Sequence, residues 1–323
     1  MRRVLAVVLT GLGTFFLAMA LLIRFFVLDQ VIKFPLNEVK TYTLTGTGMS
    51  YLSPATGLGV TGASLRTVVN IRGDGPAGSS STAVWDDANA VYDDHRSTRA
   101  PFSLTTVRVA FDRRTGQLLN CCQAKVGSTS VPMSSLAFVW PFGAQQKTYD
   151  VFDVRLLKPV PARYLGQATV AGVGTFIYRY TISGQKIGTI TLPGSLAGMT
   201  TKAMVTLPEY LTAANTYYVD PVSGTPVRIV ESQQESLRNP ATGATAVNLF
   251  SGTQNATPAS VASVAKQVSS ADTEMSALRF TGPLAGLLLG LVLLATGLRL
   301  AATRRDGRPA HEEAAVAQAH SPA

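Results

Sequence analysis

The sequence predicts a mainly β protein of the α+β kind. An antiparallel β-rich body, barrel- or sandwich-like, lies outside the cytoplasm between N- and C-terminal transmembrane helices. Three observations predict it: an uncharged apolar run near each end, a hairpin-turn signature repeated between them, and a composition poor in charge. The chain has 323 residues, 46% hydrophobic and only 15% charged, against about a quarter charged in an ordinary soluble domain.

The two apolar runs, Val4 to Ile23 and Phe280 to Leu298, hold 20 and 19 residues, and about 20 residues of helix cross a hydrocarbon core. Arg2 and Arg3 precede the first run, while Arg299, Arg304, Arg305 and Arg308 follow the second. Basic residues resist translocation, so both termini are expected in the cytoplasm, with Arg24 and Arg279 snorkelling at the outer ends. Ala18-Met19-Ala20 has the small-x-small form of a signal-peptidase site. The apolar stretch nevertheless continues to Leu28, which favours an uncleaved anchor. Residues 29–278 carry 20 Lys and Arg against 16 Asp and Glu, so only +4 of the formal +9 lies in the large domain. The high pI is thus a membrane-flank effect, and no nucleic-acid partner is expected.

Small residues recur every fourth position: Ala6, Thr10, Thr14 and Ala18 in the first run, Gly282, Gly286 and Gly290 in the second. Such spacing favours close helix packing, although small residues are common in membrane helices generally.

Between the runs, period-2 apolar segments alternate with turns of the form Asx-x-x-Ser/Thr-Gly. Asp112 to Gly116 and Asp220 to Gly224 have this form, Asn239 to Gly243 repeats it, and Ser53 to Gly57 approximates it. The first side chain accepts backbone N–H groups and the Gly takes the left-handed position before the return strand, so each predicts a hairpin. Further strands are read at 42–44, 64–71, 83–92, 168–182 and 188–192, with Gly73 to Ser81 as a flexible connection. Phe176, Tyr178 and Tyr180 share one strand face, Ile177 and Arg179 the other. Val261, Val264, Val268, Ala271, Met275 and Leu278 form a helical stripe starting near Pro258. The expected organisation is a stub and first span over 1–28, the β-rich domain over 29–257, an amphipathic juxtamembrane helix over 258–278, the second span over 279–300 and a disordered cytoplasmic tail over 301–323.

Chemistry is sparse. Of three His, His311 and His320 lie in the tail, leaving His95 alone in the large domain. Gly194-Ser195-Leu196-Ala197-Gly198 lacks the G-x-S-x-G order of a nucleophile elbow. Asp86/Asp87 and Asp93/Asp94 beside His95 are oxygen-rich, but Arg96 and Arg99 stand close and no EF-hand spacing is present. Adjacent Cys121 and Cys122 cannot supply a disulfide framework; two packed thiols or a vicinal bond are the readings, with a redox role less favoured. No catalytic residue, metal site or cofactor is expected. What stands out is aromatic: Phe138, Trp140, Phe142, Phe176 and Tyr178. They are candidates for lining an apolar cavity that holds acyl chains, at about 0.8 kcal/mol per buried CH₂. On the sequence pattern alone, the core that a domain of this size requires is the favoured reading of them.

The two-span layout, Asp112-Arg113-Arg114-Thr115-Gly116 with Cys121-Cys122 after it, the stretch from Trp140-Pro141-Phe142 to Tyr149-Asp150, Tyr164-Leu165-Gly166, Val170-Ala171-Gly172, Tyr178-Arg179-Tyr180 and Tyr218-Val219-Asp220-Pro221 resemble the actinobacterial PorA family over nearly the whole chain. The resemblance implies a cell-envelope membrane protein that binds or helps traffic an envelope lipid or glycolipid. The alternative is a non-enzymatic scaffold for envelope-assembly machinery. Expected partners are membrane lipids, an envelope glycolipid and other envelope membrane proteins.

Overall fold

The computed structural model describes residues 1–96, 100–200 and 203–302. These form two units, one from the two termini and one from Lys33–Asp272; the expected tail beyond 302 lies outside the described residues.

In the terminal unit, α1 (Arg2–Leu22) runs through a π-helical turn at Ile23–Val27 into the short α2 (Leu28–Val31). It packs antiparallel against the last helix, Gly282–Ala302. A Cβ on Gly290 would lie 2.9 Å from Leu17 Cγ and 3.0 Å from the Gly13 carbonyl, and one on Gly297 would lie 3.1 Å from the Ala6 carbonyl. Glycine at these positions is what lets the backbones approach. The seam is therefore Ala6, Gly13 and Ala20 against Pro283, Gly290 and Gly297, all buried, with Thr10 and Gly286 beside it. Thr14, Ala18 and Gly282 are exposed. The physical reason is helical drift: a strict spacing of four rotates about 40° per step away from the contact, whereas a seven-residue repeat stays on it. Thr10 and Thr14 return their hydroxyls to the carbonyls four residues back, at 2.8 and 2.9 Å.

The other unit is one antiparallel sheet. Its strands are β1 (Val39–Leu52), β2 (Gly59–Gly73), β3 (Thr82–Asp93), β4 (Ser103–Asp112), β5 (Leu118–Leu119), β6 (Lys125–Val126), β7 (Tyr149–Asp153), β8 (Lys158–Val170), β9 (Val173–Pro193), β10 (Met204–Val219), β11 (Pro226–Arg238) and β12 (Thr245–Ala256). The order is β5-β4-β3-β2-β1-β12-β11-β10-β9-β8-β7, with β6 on β4. First and last strands pair in the middle, so the sheet's free edges come from mid-chain. Leu136 spans them: it bridges Gln117 on one side and Val151 on the other, its N–H donating to Asp150 at 3.1 Å and its carbonyl accepting from Phe152 at 2.7 Å. The sheet curls far enough for one residue to join its two edges.

All four predicted hairpin turns form. Asp112 Oδ1 accepts from the Arg114 and Thr115 amides at 2.9 and 2.8 Å, Asp220 from Val222 and Ser223, and Asn239 from Ala241. The closing Gly57, Gly116, Gly224 and Gly243 all have φ between 68° and 72°. The stretch 168–182 is two strands, not one: Ala171 and Gly172 turn the chain with φ of 47° and 86°. Ala at a left-handed position carries no turn signal, and the apolar alternation runs straight through it. The Gly73 to Ser81 connection is pinned by Asp74, which holds the Ala77 amide and pairs with Arg108 at 2.6 Å.

Pro258 opens α3 (Pro258–Ser276), with Thr257 Oγ1 accepting from the Ser260 amide. Val264, Ala265 and Val268 pack on Tyr42, Leu44, Val227 and Ala256, so the expected stripe covers part of the sheet's inner face. A π-helical turn at Ala277–Thr281 leads into α4 (Gly282–Ala302).

Candidate functional site

Along β11 the side chains facing inward are Val227, Ile229, Glu231, Gln233, Glu235 and Leu237. The apolar ends join two different core clusters, and the three polar residues between them line a cavity of about 670 Å³ inside the curled sheet. Its lining extends to exposed Thr41, Pro54 and Ser103, so it reaches the surface.

Cross-strand register builds a polar girdle around this cavity. Asn215 on β10 pairs with Tyr180 on β9 and with Glu231 on β11, and Glu231 pairs with Gln254 on β12. Residues directly opposite on neighbouring strands hold their Cβ atoms about 5 Å apart, so these four form a row across the inner face. Hydrogen bonds extend it at both ends. The Tyr180 hydroxyl accepts from Asn215 Nδ2 at 2.6 Å and donates to Asp153 Oδ2 at 2.9 Å, while Gln254 Oε1 accepts from Thr67 Oγ1 at 2.9 Å. Asp87 on β3 completes the lining, its Oδ2 accepting from Asn89 at 2.7 Å.

The girdle is acidic. Five carboxylates, Asp87, Asp153, Glu209, Glu231 and Glu235, line the cavity beside two cations, Lys40 and Arg155. Arg155 is committed to Glu235 at 2.6 Å and Glu209 at 3.3 Å, and Lys40 to Glu38 at 3.4 Å. Glu231 has no hydrogen-bond or ion-pair partner among the described residues. Burial, then the neighbouring Asp87 and Asp153, pushes its carboxyl up to about 7. Burial likewise pushes Asp87 up to about 6, against the Asn89 amide that lowers it. Glu235 is raised by burial, with Arg155 opposing. Asp87 Oδ1, Asn215 Oδ1 and Gln254 Nε2 are buried without a hydrogen-bond partner among the described residues.

The acidic pairs singled out by sequence are divided by strand alternation. Asp86 faces outward to Arg108 at 2.7 Å while Asp87 faces the cavity; Asp93 accepts from Tyr51 at 2.8 Å and Asp94 binds Arg66 at 3.0 Å. Among the described residues no group of three or more His, Cys, Asp or Glu is placed to hold a metal ion. Cys121 and Cys122 are joined in a vicinal disulfide, and Gly194–Ala197 is a 3₁₀ turn.

The aromatic candidates are dispersed. Trp140 and Tyr178 are fully buried in one cluster, stacked with centroids 5.5 Å apart. Phe176 packs at the margin of that cluster, and Phe142 stacks on Phe34 at 4.4 Å in another. Only Phe138 of the five lines the cavity. Glu231, Gln233, Glu235, Asn215 and Gln254 escaped sequence reading. The available signal was the acidic and amide residues that continue the alternation of Val227 and Ile229.

The family model for porin PorA matches residues 5–299. The chain belongs to the porin PorA family. No curated protein matches it. Membership together with two helices long and apolar enough to cross a bilayer makes this PorA-family chain a membrane protein. It also corrects the functional expectation drawn above. The family is one of porins, which points to a channel and not to an anchored lipid carrier or a scaffold.

Proposed function

We propose that this porin-family protein conducts small cationic solutes, with the acid-lined cavity of the curled sheet as the segment that selects them. The observation that carries this reading is the girdle itself: three carboxylates, Asp87, Asp153 and Glu231, face one cavity without a cationic side chain paired to them. Rings of Asp and Glu concentrate cations and repel anions.

The sheet's outward face carries exposed Arg72, Arg179, Thr181, Gln234 and Asn255, which is not the apolar band of a barrel that meets lipid with its strands. The reading therefore assigns lipid contact to α1 and α4 and places the protein in the cytoplasmic membrane. Arg2, Arg3 and Arg299 support cytoplasmic termini, with the β unit on the other side.

Planar-bilayer recording on the full chain tests the proposal. A KCl gradient is expected to give a reversal potential of cation-selective sign, shifted toward zero by Asp87→Asn with Glu231→Gln. Absence of conductance, or selectivity for chloride, refutes it.

A further inference from the structure

The unsatisfied atoms of the girdle describe a ligand. Asp87 and Asn215 are 5% and 4% exposed, and each presents one oxygen acceptor without a donor. Glu231 adds a carboxylate on the strand beside Asn215. On the next strand Gln254, 6% exposed, presents one N–H donor without an acceptor. Leaving such buried groups without a partner costs their full desolvation, so a molecule that satisfies all of them gains affinity from each. It needs several N–H donors with positive charge facing Asp87, Asn215 and Glu231, and a neutral oxygen acceptor within reach of Gln254.

A bare metal ion can be coordinated by these oxygens but leaves the Gln254 N–H without an acceptor, and among the described residues no group of three or more His, Cys, Asp or Glu is placed to hold one. A quaternary ammonium has the charge but no N–H, and an alkyl diamine has the donors but leaves Gln254 unmet. Tyr42, Trp85 and Tyr217 also line the cavity and offer aromatic faces to the body of an organic cation. The volume, about 670 Å³, is that of a small-molecule site.

We propose that the girdle of Asp87, Asn215, Glu231 and Gln254 is a binding site for a protonated primary amine bearing hydroxyl groups, of the amino-alcohol or amino-sugar class. This rests on the cation-conducting reading for access of solute to the cavity and names the class of solute that the cavity holds.

Isothermal titration calorimetry on the full chain in detergent micelles tests it, with glucosamine, glucose, putrescine and tetramethylammonium as probes. Saturable glucosamine binding is expected, with the other three at least tenfold weaker. Gln254→Leu is expected to remove the advantage of glucosamine over putrescine, and Glu231→Gln to weaken both amines at least tenfold. Asp94→Asn, whose partner Arg66 also lies outside the cavity, serves as the unchanged control, and circular dichroism confirms that each variant is folded. Where Glu231→Gln fails to fold, Asn215→Leu takes its place with the same expected loss. Equal binding of tetramethylammonium and glucosamine, or no saturable glucosamine binding by a chain that conducts K⁺, overturns the proposal and leaves cation conduction standing. Glucosamine binding by a chain that does not conduct supports the site and overturns the conduction reading.

Discussion

Replacing Glu231 by Gln tests the electrostatics of the cavity through stability. The folded protein raises this carboxyl from 4.5 to about 7, with burial as the main cause. A carboxyl that holds its proton more tightly when folded leaves the folded state with more bound protons than the unfolded state between pH 4.5 and 7. Stability therefore falls as pH climbs through that window and levels off above it. The shift corresponds to about 3 kcal/mol at pH 8, an upper figure because the side chain borders a cavity open to solvent and titrates together with Asp87. Gln keeps the size and removes the charge. Glu231→Gln should then be about 2–3 kcal/mol more stable than the parent at pH 8 and nearly equal to it at pH 4.5. For a β unit of this size that is a Tm rise of about 5–10 °C. Thermal unfolding of the full chain in detergent, followed by β-sheet circular dichroism at the two pH values, reads it directly. An equal gain at both pH values would mean the effect is packing and not charge. No gain at pH 8 would show that Glu231 is well solvated and that the girdle is not the low-dielectric acidic ring described.

Two glycines with the same φ of 71°, Gly224 and Gly243, separate backbone strain from steric conflict. A Cβ at Gly243 meets nothing within 4 Å, so Gly243→Ala should cost only the left-handed strain, about 1 kcal/mol, whereas at Gly224 it runs into the Trp140 carbonyl and Gly224→Ala should cost about 3 kcal/mol or more; urea midpoints compare them. Gly290→Leu should separate α1 from α4, since even a Cβ there lies 2.9 Å from Leu17. Its mark is a loss of helical thermal stability of about 1–3 kcal/mol, with the sheet transition unmoved.

What was legible in the sequence was whatever depends on neighbours along the chain. Asp112, Asp220 and Asn239 announce their turns because the acceptor and the amides it holds lie two or three residues apart. The Val264 and Val268 stripe is readable because helical periodicity is local. The girdle is not, because its members stand on strands separated by long stretches of chain: Asp87, Tyr180, Asn215, Glu231 and Gln254 meet only through register. The same holds for Leu136, whose neighbours mark a loop and whose role in joining β5 to β7 exists only after the sheet has curled. By sequence Trp140 and Phe142 are candidates for lining a cavity, and in the structure Trp140 is fully buried in one apolar cluster while Phe142 packs against another, since chemical type alone does not say which side of a wall a ring occupies.

The girdle's position on β11 gives the acidic residues a further meaning. Val227 and Leu237, on the same strand face, are completely buried in apolar clusters, so this strand does pack apolar side chains inward where packing is what is needed. Between them stand Glu231, Gln233 and Glu235, with Asn215 and Gln254 alongside on the flanking strands. An apolar residue at 231 would relieve the desolvation that raises its carboxyl, and isosteric apolar replacement of buried charge is often stabilising by about 1–4 kcal/mol. A fold that only had to be stable would gain by extending the Val227 or Leu237 pattern through this stretch. The acidic row is thus opposed by folding energetics, which is the pattern the proposed cation site requires. The hydrophilic outer face of the same strands leaves the apolar helices as the part suited to lipid.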